Sequence, residues 1–511
     1  MNAPEGDAGS CDVLVVGAGP TGLFLAQQLL SRGHSVRIVE GRAAQSTSSR
    51  AIAIMPRTME TFRIAGFSAE FENAAFRVTA ATIHTYRETL GRIAIEPRSS
   101  WFDYIAMLPQ NVTERILLEH LTAAGGRVEY ATALVGLIDA PDGVIVRLRT
   151  KAGEQRAVAR FVVGCDGANS AVRQLIGFGF ESGTRTAGFA IFDIETVGDA
   201  PTKDILICPH PAGPLGVFPI NAKRHRLIAK VPPAFDSEAT LDLANELIAE
   251  RGPWNLGASK LYWGALWRVE RRYAPGMHKG SIFLAGDAAH VHNPLGGQGL
   301  NAGLGDAFNL AWKLDYVLAG LATKGIFPSY SYERQRVAKD AIRGTEFLTA
   351  AMGSRNVLGR ALRDYLIPRV TENARFREEF VSRLCGLSAR YERSPIVEGH
   401  GRRAPDEKVR AGDRERRLYD VLDGRYLIVV PPAAPANIAA AIDNFAQHYG
   451  SALSSVAADE AGDPVVRLVR PDGYLALEAA LSGEDPTPVL ERMARVLSTH
   501  VRRVGRAAPR A

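Results

Sequence analysis

Val13-Leu14-Val15-Val16-Gly17-Ala18-Gly19-Pro20-Thr21-Gly22-Leu23 decides the fold. The four apolar residues before Gly17 suit a buried parallel strand, and residues 20–30 carry Leu23, Ala26, Leu29 and Leu30 at helical spacing. The segment therefore reads as strand, glycine turn and helix. Gly17 permits the tight turn, Gly19 lets the backbone approach a pyrophosphate, and Gly22 lets helix pack closely on strand, with the helix N-terminus facing the negative charge. A second strand, residues 36–39, ends on Glu40, 18 residues beyond Gly22, near the spacing of a carboxylate that accepts both hydroxyls of an adenosine ribose. A 2'-phosphate would meet like charge there, which favours FAD or NAD over NADP.

Two later signatures separate FAD from NAD. Phe161-Val162-Val163-Gly164 has the pattern of a buried strand and delivers Asp166-Gly167 to a turn. Residues 281–285 read as a strand that places Asp287 at its end, where a carboxylate holds a sugar-alcohol hydroxyl. Pro294-Leu295-Gly296-Gly297-Gln298-Gly299-Leu300-Asn301 follows and opens a long helix with Leu300, Leu304, Ala307, Ala311, Leu314 and Leu318 at intervals of three and four. Glycines before a helix N-terminus favour close approach to an electron-rich group, and a reduced flavin carries negative charge on one edge. NAD has no such need, and no ribitol for Asp287 to hold.

These residues resemble the class A flavoprotein monooxygenases of the para-hydroxybenzoate hydroxylase fold, over roughly residues 1–345. The resemblance implies an α/β chain: a Rossmann-like FAD-binding domain, an interleaved mixed β-sheet substrate domain and a C-terminal thioredoxin-like domain. It assigns FAD contacts to Gly17, Gly19, Pro20, Thr21, Gly22, Glu40 and Arg42, and to Arg50 in a segment continuing through Pro56-Arg57-Thr58-Met59-Glu60. It adds Gln110, which precedes Glu114-Arg115-Ile116-Leu117, then Asp166, Asp287, Pro294, Gly297, Gly299, Leu300 and Asn301. Ser281 departs from the pattern, since many relatives place an arginine there. In this family NADPH or NADH, as a transient co-substrate, reduces the flavin. O2 then gives a C4a-hydroperoxide that passes oxygen to an electron-rich ring.

Composition agrees. With 511 residues and 46% apolar content, two or three domains are expected. The reading gives residues 1–75, 108–184 and 271–345 to the FAD-binding domain, 76–107 and 185–270 to the substrate sheet, 346–400 to a helical connector and 401–511 to the thioredoxin-like domain. That last stretch reads as β-α-β-β-α and has no cysteine, so thiol redox chemistry is excluded from it. Cys11, Cys165, Cys208 and Cys385 are scattered without metal or disulfide spacing, and residues 1–10 do not resemble a signal peptide. Together with the lack of an apolar run of membrane-spanning length, these features predict a cytoplasmic protein. The net charge of +6 is spread along the chain, which argues against a nucleic-acid partner.

Substrate chemistry is less legible. A phenol is activated by deprotonation, and His210, Tyr262 and Arg268 on the substrate sheet are the candidate catalytic residues, with Tyr104 on the preceding loop; each also suits a structural role. Trp263 and Trp267 share a strand face, as a ring-stacking wall or as core. His290 and His292 lack a third ligand at metal spacing, so no metal is expected. The mostly apolar residues 215–220 favour a bulky phenolic or polyketide-like substrate over a small benzoate, which would want a buried arginine. A homodimer is left open. A short-chain dehydrogenase would need Tyr four residues before Lys, and a flavin halogenase Trp-x-Trp-x-Ile-Pro; neither occurs. A flavin reductase or dehydrogenase without oxygen insertion, or a catalytically inactive flavin- or ligand-binding protein, remains as the alternative.

Overall fold

The computed structural model describes residues 6–46, 51–97, 99–235, 237–253, 255–291, 296–354, 356–459, 464–481, 483 and 485–503. Its first sheet is built on the strand Gly6–Val16, which runs parallel to Gly153–Gly164 on one side and to Val36–Glu40 on the other. Val13 and Val15 are fully buried, as a strand covered on both faces requires. Val128–Tyr130 and Ile282–Leu284 extend the parallel sheet outward, and an antiparallel meander through Ala133–Ala140 and Gly143–Thr150 joins it at Gly153–Gly164.

The helix Pro20–Leu30 packs its buried face between this sheet and the helix Gln298–Leu318. Phe24 meets Phe62 edge-on at 5.5 Å and stacks on Phe308 at 5.9 Å. Such pairs add about 0.5–1.5 kcal/mol each beyond their buried area. Truncating Phe24 to alanine would cost about 3–5 kcal/mol and loosen the helix that carries the glycine turn.

A second eight-stranded sheet runs in the order His290–Val291, Leu256–Tyr273, Glu181–Gly198, Arg224–Val231, Leu215–Pro219, Asp204–Cys208, Ala80–His84 and Thr89–Ala94. Strand alternation gives it two apolar faces. Phe192, Ile194, Leu227 and Ala229 pack under the helix Leu241–Arg251. Phe189, Ile191, Phe218 and Ile228 face the other way, onto Ile52, Ala53 and Met55 of the first domain.

Three helices, Phe327–Met352, Val357–Glu372 and Ala374–Leu384, lead to the C-terminal sheet, which has six strands and the helices Ala436–Gln447 and Thr487–Ser498. Tyr426–Val430 pairs in parallel with Leu453–Ala458 and antiparallel with Val465–Val469, which pairs with Leu475–Ala480. The β-α-β-β-α reading of this region lacks Leu453–Ala458. Its sequence, Leu-Ser-Ser-Val-Ala-Ala, is too small and polar to read as a strand, and pairing with Tyr426–Val430 is what makes it one. Among the described residues no helix is long and apolar enough to cross a membrane.

The C-terminal sheet is bound to the first domain by buried charge. Glu333 accepts two hydrogen bonds from Arg470, at 2.6 and 2.9 Å, and one from Lys313 at 2.8 Å, and all three side chains are fully buried.

Candidate functional site

A cavity of about 840 Å3 opens between the two larger sheets. The glycine turn forms one wall. Gly17 has φ +104°, and a Cβ there would fall 2.4 Å from the Cys165 carbonyl oxygen, so both its backbone and the space around it exclude a side chain. At Gly22 a Cβ would lie 2.0 Å from the Gly17 carbonyl oxygen, whereas at Gly19 it would meet nothing within 4 Å. Two of the glycines thus shape the turn, and the third faces open cavity. The helix that follows begins with Pro20 at its first positions, and no side chain caps its N-terminus, so the cavity end presents free backbone N–H groups and a positive dipole. Thr21 fits between the motifs: its Oγ1 would lie 2.8 Å from a Cβ on Gly286 and 2.4 Å from one on Gly303.

Glu40 closes the far side of this wall. Its oxygens accept from the Ala18 N–H at 3.0 Å, from the Arg42 N–H at 2.9 Å, and from Arg42 Nε and Nη2, both at 3.0 Å. Burial opposes ionisation of Glu40, but these donors outweigh it and hold the carboxyl below its ordinary range. Arg42, assigned to the cofactor by resemblance, is thus engaged by Glu40 at the cavity edge. Gln110 lines the same cavity; its Oε1 accepts from the Ala51 N–H at 3.1 Å and its Nε2 donates to Glu114 at 2.9 Å.

Asp166 is the most telling group. Its Oδ2 accepts from the N–H groups of Ala171 and Val172 at 2.7 and 3.2 Å, while its buried Oδ1 has no partner. Burial pushes this carboxyl above its usual range. A buried acceptor left open beside a cavity needs a donor, and the hydroxyls of a dinucleotide supply one. Arg173 donates to the Ala168 and Ala288 carbonyls, tying the turn after Asp166 to the turn that holds Asp287. Asp287, Gly297, Gly299 and Leu300 complete this side of the cavity. Gly297 has φ +60° and precedes the uncapped N-terminus of Gln298–Leu318. Asn301 turns elsewhere: its Oδ1 accepts from the Met55 N–H and Thr58 Oγ1, and its Nδ2 donates to the Ala53 and Gly297 carbonyls. Its side chain pins the helix to residues 53–58. Arg50, Pro294 and His292 lie outside the described residues.

The open Asp166 oxygen, the unfilled space over Gly19 and two uncapped helix N-termini on one cavity fit FAD. The sequence matches the FAD binding domain family over residues 10–345 and the aromatic-ring hydroxylase C-terminal family over residues 398–499. The chain belongs to the FAD-dependent aromatic monooxygenases. This monooxygenase is 30% identical to rifampicin monooxygenase of Streptomyces venezuelae over 94% of its own length and 98% of that protein's. It is also 30% identical to pentachlorophenol 4-monooxygenase of Sphingobium chlorophenolicum, over 86% and 83% of the two chains. The solved structure of anhydrotetracycline hydroxylase from Streptomyces rimosus superposes with a TM-score of 0.77 at 26% identity, over 95% and 99% of the two chains.

The second sheet gives the monooxygenase the remaining wall, through Ile228 and Trp267. Next to them a cross-strand row brings together Arg226, Asp193 and Trp263. Arg226 is fully buried; it donates through Nε and Nη2 to the two oxygens of Asp193 at 2.7 and 3.0 Å, and through Nη1 to the Ala51 carbonyl at 3.3 Å. No local pattern reveals this pair, because its members stand 33 residues apart on adjacent strands.

The candidate catalytic residues are not part of the cavity wall. His210 sits in the turn between Asp204–Cys208 and Leu215–Pro219, where its Nδ1 accepts from the Ala212 N–H at 3.3 Å and burial lowers its pKa. Tyr262 falls at a bulge in Leu256–Tyr273, is 44% exposed, and donates to Glu195 at 2.7 Å. Arg268 is exposed, opposite Gly188, on the sheet face that alternation turns away from Trp267. Tyr104 is buried against Phe102 and beneath Arg77, away from the cavity. Residue type suggested these positions, but a bulge places Tyr262 in solvent and strand parity turns Arg268 to the other face. His290 bonds Asp306 at 2.6 Å. Among the described residues no cluster of three or more His, Cys, Asp or Glu could hold a metal.

Proposed function

We propose that the chain hydroxylates a bulky phenolic or polyketide-like ring, using electrons from NADPH or NADH and an oxygen atom from O2. The observation that carries this reading is the sheet wall of the cavity. Ile228 and Trp267 are apolar, and the buried guanidinium on the same face, Arg226, is already engaged by the bidentate Asp193, which also accepts from Arg224 at 3.1 Å, and by the Ala51 carbonyl. A small benzoate needs an open buried cation for its carboxylate; a polycyclic ring needs an apolar wall. The naming of relatives for rifampicin, pentachlorophenol and anhydrotetracycline agrees with that choice.

FAD, when bound, supplies the electron transfer and oxygen chemistry. The chain's residues do the rest. Gly19, the helix N-terminus at Pro20, Asp166 and Asp287 bind the dinucleotide, and Ile228 and Trp267 exclude water from the ring's side of the cavity. Four free cysteines support a cytoplasmic setting. An exposed apolar stripe on Val357–Glu372, including Leu358 and Leu362, supports a homodimer.

The test is NADPH and NADH oxidation by FAD-loaded protein in air across a panel of simple and polycyclic phenols, with H2O2 quantified. Stimulation by a polycyclic phenol, with less than one H2O2 per NAD(P)H, supports the reading. Stimulation with full conversion to H2O2 and no hydroxylated product contradicts it.

A further inference from the structure

We propose that Gln298 is a positioning residue, which holds the helix terminus at the cofactor cavity in register with the helix Ala374–Leu384 that packs on the substrate sheet. Gln298 is the first residue of the helix Gln298–Leu318 and lines the cavity between Gly297 and Gly299. Its Nε2 donates to the Leu384 carbonyl at 3.0 Å. Leu384 ends its own helix, and the last carbonyls of a helix have no donor within it, so Gln298 caps that helix from outside.

The capped helix reaches the substrate side. Val381 is buried in the apolar cluster on the inner face of the substrate sheet, and Phe380 and Leu384 pack against that cluster, as do Trp263 and Trp267. One hydrogen bond thus joins a residue bordering the cofactor cavity to a residue packed on the sheet. A second cavity, of about 80 Å3, lies beside this bond and is lined by Gln298, Asn301, Met55 and Cys385. Close packing is therefore interrupted where the two helix ends meet, and directional bonds set their spacing. Oxygen transfer needs cofactor and ring in near-contact geometry, and a misplacement of about 1 Å costs about 10²-fold. That consequence rests on the hydroxylase reading, whereas the link between the two helices does not.

Hydrogen exchange read by mass spectrometry tests the link without substrate. FAD added to the parent apoprotein is expected to slow exchange about tenfold in residues 296–301 and also in 374–384. Gln298→Met keeps length and helix propensity but has no donor. In that variant FAD should still protect 296–301, with a Kd within about twofold of the parent's, and change 374–384 by less than about twofold. Gln298→Glu should behave alike, since a carboxylate cannot donate and a helix N-terminus favours its charge. Equal protection of 374–384 in parent and variants overturns the proposal and assigns the coupling to the Arg57 N–H, which donates to the Cys385 carbonyl at 3.1 Å. A parent in which FAD leaves 374–384 unchanged overturns it too, as does loss of protection in both segments together. Turnover separates this result from the hydroxylase reading. With a phenol that the parent hydroxylates, Gln298→Met should keep KM while a larger share of NAD(P)H ends as H2O2, and an unchanged share overturns the positioning role. A parent that hydroxylates no phenol refutes the hydroxylase reading and leaves the exchange result to decide the link.

Discussion

His290 Nε2 lies 2.6 Å from Asp306 Oδ2, which joins the turn carrying Asp287 to the third turn of the helix Gln298–Leu318. The same oxygen accepts from the Gly286 N–H at 3.0 Å, and Oδ1 accepts from Arg334 Nε at 2.7 Å. Burial opposes the charge on Asp306, but His290 and Arg334 overcome it and keep the carboxyl below its ordinary range. Asp306 touches no cavity surface, yet it fixes the position of Asp287. Asp306→Asn should destabilise the protein by about 3–5 kcal/mol, as loss of one member of a buried charged set does. It should also lower the FAD retained on purification. Thermal melting and the flavin-to-protein absorbance ratio check both, and parent-like values in the two together would reject the positioning role.

The two cavity-side glycines should separate folding from binding. Gly19→Ala puts a methyl into open space, so the apoprotein should melt as the parent does while FAD binds at least tenfold more weakly. Gly17→Ala brings a Cβ to 2.4 Å from a backbone oxygen at φ +104° and should lower apoprotein stability itself. Equal behaviour of the two variants would refute the assignment of Gly19 to the cofactor.

Acid should release the C-terminal domain. Burial opposes the charge on Glu333, but Arg470 and Lys313 hold its carboxyl far below the ordinary value of 4.5. A carboxyl depressed in the folded state contributes stability above the unfolded pKa and loses it as pH falls toward the folded one. The parent's melting temperature should therefore decline steadily below about pH 4.5. Glu333→Gln should start lower, by about 3–5 kcal/mol, and show a shallower decline. A parallel pair of curves would show that Glu333 does not carry the acid sensitivity.

Trp267 tests the substrate wall. Trp267→Ala removes a large apolar surface from the sheet wall of the cavity. FAD affinity should stay within about twofold, while stimulation of NAD(P)H oxidation by a polycyclic phenol falls about tenfold and the H2O2 yield rises as water enters. A large loss of FAD with unchanged substrate response would assign Trp267 to the cofactor instead.

The glycine turn and the strand-end acids of the cavity wall were legible in the sequence because their constraints are local. Gly17 and Gly22 follow from one turn, and the acids at 40, 166 and 287 each stand at the end of an apolar strand. What local pattern could not supply was the partner across the fold. Asp193 bonds Arg226 and Arg224 across two strands, and Asp306 meets His290 and Arg334 from different elements. Asn301 looked like a cofactor contact from its place in the glycine loop, yet all of its side-chain bonding goes to residues 53–58 and Gly297. Tyr262 and Arg268 were chosen by residue type, and a bulge and strand parity put the first in solvent and the second on the outer face. Leu453–Ala458 became a strand by pairing alone.

Oxygen insertion is the central claim, and turnover under isotopically labelled O2 tests it most directly. With a phenol that stimulates NAD(P)H oxidation, mass spectrometry of the product should show one labelled oxygen atom on the ring, with H2O2 below one per NAD(P)H consumed. Unlabelled substrate recovered alongside one H2O2 per NAD(P)H would contradict the account and leave an oxidase or reductase on this fold.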